Sequence, residues 1–169
     1  MVPPDRAEID AHIRDTWGRD TVVARDAAWE LAALTRRQQA ALIVLLDQFP
    51  RQIHRDSGEA FACDSVALSI ARALIGNWRR FFVVEQNFLM LPFEHSEAIA
   101  DQDFAVKLYA DRTLEVPPEH LESARPQLDY ATKHRDIIRK FGRFPHRNAA
   151  LGRESTPEEI EFLKGGRGF

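Results

Sequence analysis

Apolar residues in this chain recur every three or four positions rather than in alternation, which is the periodicity of helices with one buried face. Ile9, Ile13 and Trp17 stand four apart and predict a first helix over residues 8–17. A second is expected over 20–34, running on toward a third. The third opens at Thr35-Arg36-Arg37-Gln38, a capping-box pattern, and closes at Phe49-Pro50. Asp56-Ser57-Gly58-Glu59 is a second capping pattern. It opens a helix to about Ile75, where Gly76-Asn77 stops it. Residues 81–91 predict a short apolar helix, and Pro92 suits the first turn of the next, which runs to about Arg112. Past the Val116-Pro117-Pro118 loop, helix 121–141 ends on Gly142. Thr156-Pro157-Glu158-Glu159 joins an N-cap, a proline at the first helical position and a capping-box Glu. It is the strongest helix start in the chain, and its short helix stops at Gly165-Gly166.

No Asn-Gly or Asp-Gly hairpin signal interrupts the series. The expectation is therefore an all-α chain of seven or eight helices packed as antiparallel pairs. A length of 169 residues suits one domain, with 1–8 and 165–169 as loose ends. Pro50, Pro92 and Pro145 each follow an apolar residue and precede charged or imidazole side chains. They lie about 42 and 53 residues apart, within reach of helical-repeat periods but irregular.

Composition changes the picture only by exclusion. A hydrophobic content of 44% rules out a disordered chain. A net charge of −3 gives no general pull toward nucleic acid or an anionic membrane, so neither is expected as a partner. The longest apolar run, Ala40 to Leu46, is too short to span a bilayer, and no apolar leader precedes the first helix. The single Cys63, in an apolar helical setting, excludes an internal disulfide and reads as a buried inert thiol. A cytoplasmic protein is expected.

Candidate chemistry gathers at the three proline-marked helix ends. Asp47 falls in the last turn of an apolar helix, where a carboxylate opposes the helix dipole and needs a cation, Arg51 or another. Glu94, Glu97 and Asp101 share one face of a helix starting at Pro92. A helix start disfavours cationic imidazole, so His95 is expected to be neutral and able to act as acid, base or ligand. His134 shares its buried face with Ile138 and Phe141, flanked by Arg135 and Arg139. From Arg135 to Arg153 six cations face one acid, Asp136. The loop through Arg143, Phe144, His146 and Arg147 alternates aromatics with cations, and Arg forks suit carboxylate or phosphate.

The candidate catalytic residues are thus His95, Glu94 and His146. Candidate ligand-binding residues are Asp47, Arg51, His134, Arg135, Arg143 and Arg147. His95, His134 and His146 lack metal-motif spacing, so no metal and no cofactor are expected. Three readings follow. The first is a pocket for a small anionic molecule. The second is a hydrolase or lyase with a His/Glu acid–base pair. The third is an interaction module whose polar cluster is structural, with a protein partner or a homodimer.

Long ordered strings also carry a family resemblance. They are Leu42 to Arg51, Ala60 to Asp64, Leu91 to Glu97, His134 to Asn148 and Leu151 to Leu163. From about Asp10 to the end, the chain resembles a mainly bacterial family known as domain of unknown function 924. That resemblance implies a tetratricopeptide-like helical fold and no established reaction. The chain departs from the family pattern at Gln52, where Asn is usual, and at Cys63, where Thr is frequent. The usual N-terminal aromatic segment is missing or shortened.

Overall fold

The computed structural model describes residues 5–166, and every regular element among them is helical. The chain forms two compact units, residues 1–89 and 90–169. Residues 1–4 and 167–169, the outer parts of the expected loose ends, lie outside the described residues. Asp5 to Glu8 form a capped first helical turn, and Gly165-Gly166 form a turn.

In the first unit, helix α1 (Arg6–Asp26) is continuous, where two helices were expected. Gly18 does not break it, because α1 is held along its length by the end of the next helix. Arg55 pairs with Asp10, Arg14 donates to the Ile53 carbonyl at 3.1 Å, and Trp17 stacks on Phe49 at 6.1 Å. The falling partner numbers show the two segments to be antiparallel. A 3-10 turn, Leu31–Ala33, replaces the expected end of the second helix.

Helix α2 spans 36–53 and starts at the predicted Thr35–Gln38 capping box. It does not stop at Phe49-Pro50. Residues Val44–Gln48 form a π turn, in which the Phe49 N–H donates to the Val44 carbonyl, and the helix continues as Phe49–Ile53. A change of hydrogen-bond register is where a residue without an N–H fits with least loss, which is how Pro50 sits inside a helix.

The expected capping box at Asp56–Glu59 also resolves differently. Asp56 takes a left-handed conformation, φ 59°, and Ser57 caps only a 3-10 turn, Gly58–Phe61. Helix α3 (Asp64–Leu74) follows and buries Ala67, Ile70, Ala71 and Leu74, one helical stripe. A 3-10 segment, Ile75–Arg80, leads out of it.

Helix α4 (Val83–Glu94) contains Pro92 near its end, contrary to the expectation that Pro92 starts a helix. Leu89, Met90 and Phe93 are fully buried, and that burial carries the helix through Pro92 despite the missing ladder donor.

In the second unit, α5 (Ile99–Glu115) and α6 (Leu121–Phe141) form an antiparallel pair. Asp103 meets Arg139 at one end, and Gln127 meets Arg112 toward the other. Ala105, Ala124 and Ala131 are fully buried. Gly142, at φ 71°, ends α6 as predicted. Helix α7 (Pro157–Lys164) starts at the predicted Thr156 capping box, and its Phe162 packs on Phe141 at 5.0 Å. The three prolines of the sequence echo therefore occupy three different local structures. Pro50 sits within a helix, Pro92 near a helix end, and Pro145 opens a 3-10 turn.

Gly142→Ala should destabilise the protein by about 1–2 kcal/mol in urea unfolding, because an L side chain is disfavoured at that φ. Gly76→Ala, with open space around it, should cost nothing.

Candidate functional site

The sequence-predicted residues fall in both units. In the first, Asp47 is almost wholly buried in the π turn and accepts from the Gln48 side-chain amide. Arg51 lies one turn on. It donates to the Asp47 carbonyl at 2.6 Å and forks onto Asp64 at 2.8 and 3.0 Å. Burial works against the Arg51 charge, but Asp47 and Asp64 more than answer it and raise its pKa. These contacts tie α2 to the start of α3. Asp64, absent from the candidates, stands thirteen residues from Arg51, a spacing with no periodic signature. Cys63 is buried, and burial raises its thiol pKa, in keeping with an inert thiol.

The second unit brings together Glu94, His95, His134, His146 and Arg147. Glu94 and His95 stand at the C-terminal end of α4, so the expected helix N-terminus around His95 does not exist. Glu94, Glu97 and Asp101 accordingly do not share one helix face. Gln102 of α5 fixes this end by donating to the Glu94 and Ser96 carbonyls, each at 2.6 Å. These carbonyls lie where a helix end leaves acceptors unserved.

His134 comes from the buried stripe of α6. Its Nδ1 lies 3.0 Å from the Tyr130 carbonyl and 3.4 Å from Glu94 Oε1. A carbonyl can only accept, so Nδ1 carries the proton and Nε2 of the neutral ring carries none. The ring sits 6.4 Å from His95, 4.6 Å from Tyr130 and 5.5 Å from Phe144. Phe144 in turn meets His146 at 5.5 Å and carries the Arg147 guanidinium on its face at 4.4 Å. Burial lowers the His134 pKa from 6.5 to about 3. The neighbouring His95, Arg147 and His146 push the same way, against the Tyr130 hydrogen bond. Desolvation and the Glu94 charge push the Tyr130 phenol up.

The remaining cations have other work. Arg143 forks onto Glu159 at 2.7 and 2.8 Å and reaches the Glu154 carbonyl, so it is a loop clamp. Arg135 pairs with Asp136 on its own helix at 3.1 Å. Glu97, expected only to share a helix face with Glu94 and Asp101, accepts from the Phe144 N–H at 2.8 Å and from both ends of the Arg153 fork. Arg153 also holds Asn148, whose amide reaches Ser155 and Glu159. Together these bonds set the 142–156 loop and hence the positions of Phe144, His146 and Arg147. Sequence reasoning missed Tyr130, Glu97, Arg153 and Glu159 as members of this assembly. Only Glu159 had a local signal, its capping-box position. Among the described residues, no group of three His, Cys, Asp or Glu is placed to hold a metal ion.

Two groups tie stability to pH with the same sign. The unfolded chain binds a proton on His134 below about 6.5, and the folded one only near 3. Arg143 and the Thr156 N–H hold Glu159 at about 2, from an ordinary 4.5, against burial. In both windows the unfolded state binds more protons, so stability is full above pH 6.5 and falls as pH drops through these ranges. Urea unfolding should show a His134 contribution on the order of a few kcal/mol. His134→Gln should remove the slope between about pH 4.5 and 6.5 and lessen it below, and Glu159→Gln should lessen the slope below about 4.5.

The chain matches a family of bacterial proteins of unknown function, DUF924, over residues 4–167. Its structure is similar to the solved structure of a protein of unknown function from Agrobacterium tumefaciens. That similarity has a TM-score of 0.81 at 34% sequence identity and covers 95% of this chain and 86% of that one. No protein of curated function matches the chain. No helix among the described residues is long and apolar enough to cross a membrane. The strings that carried the resemblance supply the π turn, the Glu94-His95 corner, the His134 stripe and the clamped loop. On this evidence of sequence and structure, the chain belongs to the DUF924 family of bacterial proteins of unknown function.

Proposed function

We propose that the second unit binds a small anionic ligand, with Arg147, His95 and His146 as its donors and the Glu94–His134 pair beside them. The observation that carries this reading is the burial of Glu94 against a neutral imidazole, with two more imidazoles and an arginine on the same aromatic, Phe144, or one ring away. Glu94 Oε1 lies 3.4 Å from His134 Nδ1, and buried ionisable clusters of this kind are concentrated at functional sites.

Arg51, Arg143 and Arg135 leave the anion clamp in this reading, because their contacts fasten structure. The burial of Glu94 beside His95 and His134 favours a second reading, in which a His/Glu pair acts as acid and base on a bound substrate, as in a hydrolase or lyase. The antiparallel α1/α2 and α5/α6 pairs are consistent with a tetratricopeptide-like fold, and a single buried cysteine fits a reducing, cytoplasmic setting.

Thermal unfolding with inorganic phosphate, sulfate and small dicarboxylates tests the proposal. At about a hundredfold excess over Kd, a bound anion should add about 2.7 kcal/mol. That raises the midpoint by roughly 5–10 °C for a chain of this size. His95→Ala and His146→Ala should each keep the fold and lose the shift. If no anion moves the wild-type midpoint, the reading fails.

A further inference from the structure

A groove of about 500 Å³ lies within the first unit, and none of its lining residues belongs to the candidate site residues. Its floor is apolar, formed by Leu31, Leu34, Leu74 and Phe81. Its polar lining comes from Arg36, Arg80, Gln39 and Asn77, with no carboxylate among the lining residues. The volume is in the range of small-molecule sites, and so is the mixture of an apolar floor with a few polar groups.

The two arginines are brought together by the fold. Arg36 follows the Thr35 cap of α2, and one of its Nη atoms donates to the Arg80 carbonyl at the end of the 3-10 segment Ile75–Arg80. Neither guanidinium has a carboxylate partner among the described residues, although elsewhere in this unit Arg51 and Arg55 are forked onto acids. Two arginines thus line one groove that has no carboxylate in its lining, the charge balance that suits a bound anion. Local backbone adds to the pull, since Arg36 stands at the positive end of α2. Gln39 holds the opposite wall by donating to the Leu31 and Leu34 carbonyls, so the groove is pre-formed.

We propose that this groove binds a carboxylate with an apolar body, its headgroup between Arg36 and Arg80 and its hydrocarbon on Leu34, Leu74 and Phe81. A bare anion has no use for the floor, and an apolar molecule leaves the arginine pair unanswered. The site is separate from the proposed anion site of residues 90–169, and neither depends on the other.

The test is NMR titration of the full chain with octanoate, acetate and octanol. Octanoate should perturb Leu34, Phe81 and the side-chain amides of Gln39 and Asn77 in a saturable way. Acetate and octanol should each bind at least tenfold more weakly. Arg36→Gln with Arg80→Gln should weaken octanoate at least tenfold while leaving the amide spectrum of the free protein dispersed as in the wild type. His95→Ala should leave octanoate binding intact. The proposal is overturned if octanoate causes no saturable change at millimolar concentration. It is equally overturned if octanol binds as tightly as octanoate, or if the double variant binds octanoate as well as wild type does.

Discussion

A carboxylate removed from water is tolerated only when something nearby answers it, and the second unit is arranged around that constraint at Glu94. Glu94 stands on the last turn of α4, and that turn ends as it does because Gln102 serves the carbonyls that the helix leaves over. His134 reaches it from α6, part of a close pair whose buried positions include Ala105, Ala124 and Ala131. Phe144, His146 and Arg147 complete the surroundings, and their loop is pinned by Glu97, Arg153, Asn148, Arg143 and Glu159. Removing the helix-end amide, the small-residue seam or the loop clamps would each shift a neighbour of the same buried carboxylate.

The first unit solves a different problem. Pro50 within α2 would break an ordinary ladder, and the π turn before it absorbs the loss. The same turn lodges Asp47 where Arg51 and, through it, Asp64 are tied in. Here Arg51 and Arg55 are matched against acids, whereas Arg36 and Arg80 line a groove with no carboxylate among its lining residues.

Much of the fold was legible because local chemistry decided it. The Thr35 and Thr156 caps and the Gly142 stop form from residues within one or two turns of each other, so their spacing is visible in a string. The errors came where distant packing outweighed a local signal. Gly18 and Pro92 look like breaks, but long-range contacts of α1 and the burial around Phe93 carry the helices through them. Pro92 mattered most, because a helix start there implied a dipole argument for His95 that the real helix end reverses. The candidate site was half legible. Glu94, His95, His146 and Arg147 were visible as the polar punctuation of helix ends, and His134 as a member of the buried stripe of α6. The partners that decide their states were not visible. Tyr130 acts through its backbone carbonyl, and Glu97 and Arg153 meet across fifty-six residues.

The account turns on the state of one ring. Nitrogen-15 NMR of the histidine side chains as a function of pH reads both the tautomer and the titration of His134. The account predicts a neutral ring protonated on Nδ1 at neutral pH, with no titration until far below 6.5. A His134 protonated on Nε2, or one that titrates near 6.5, would contradict it.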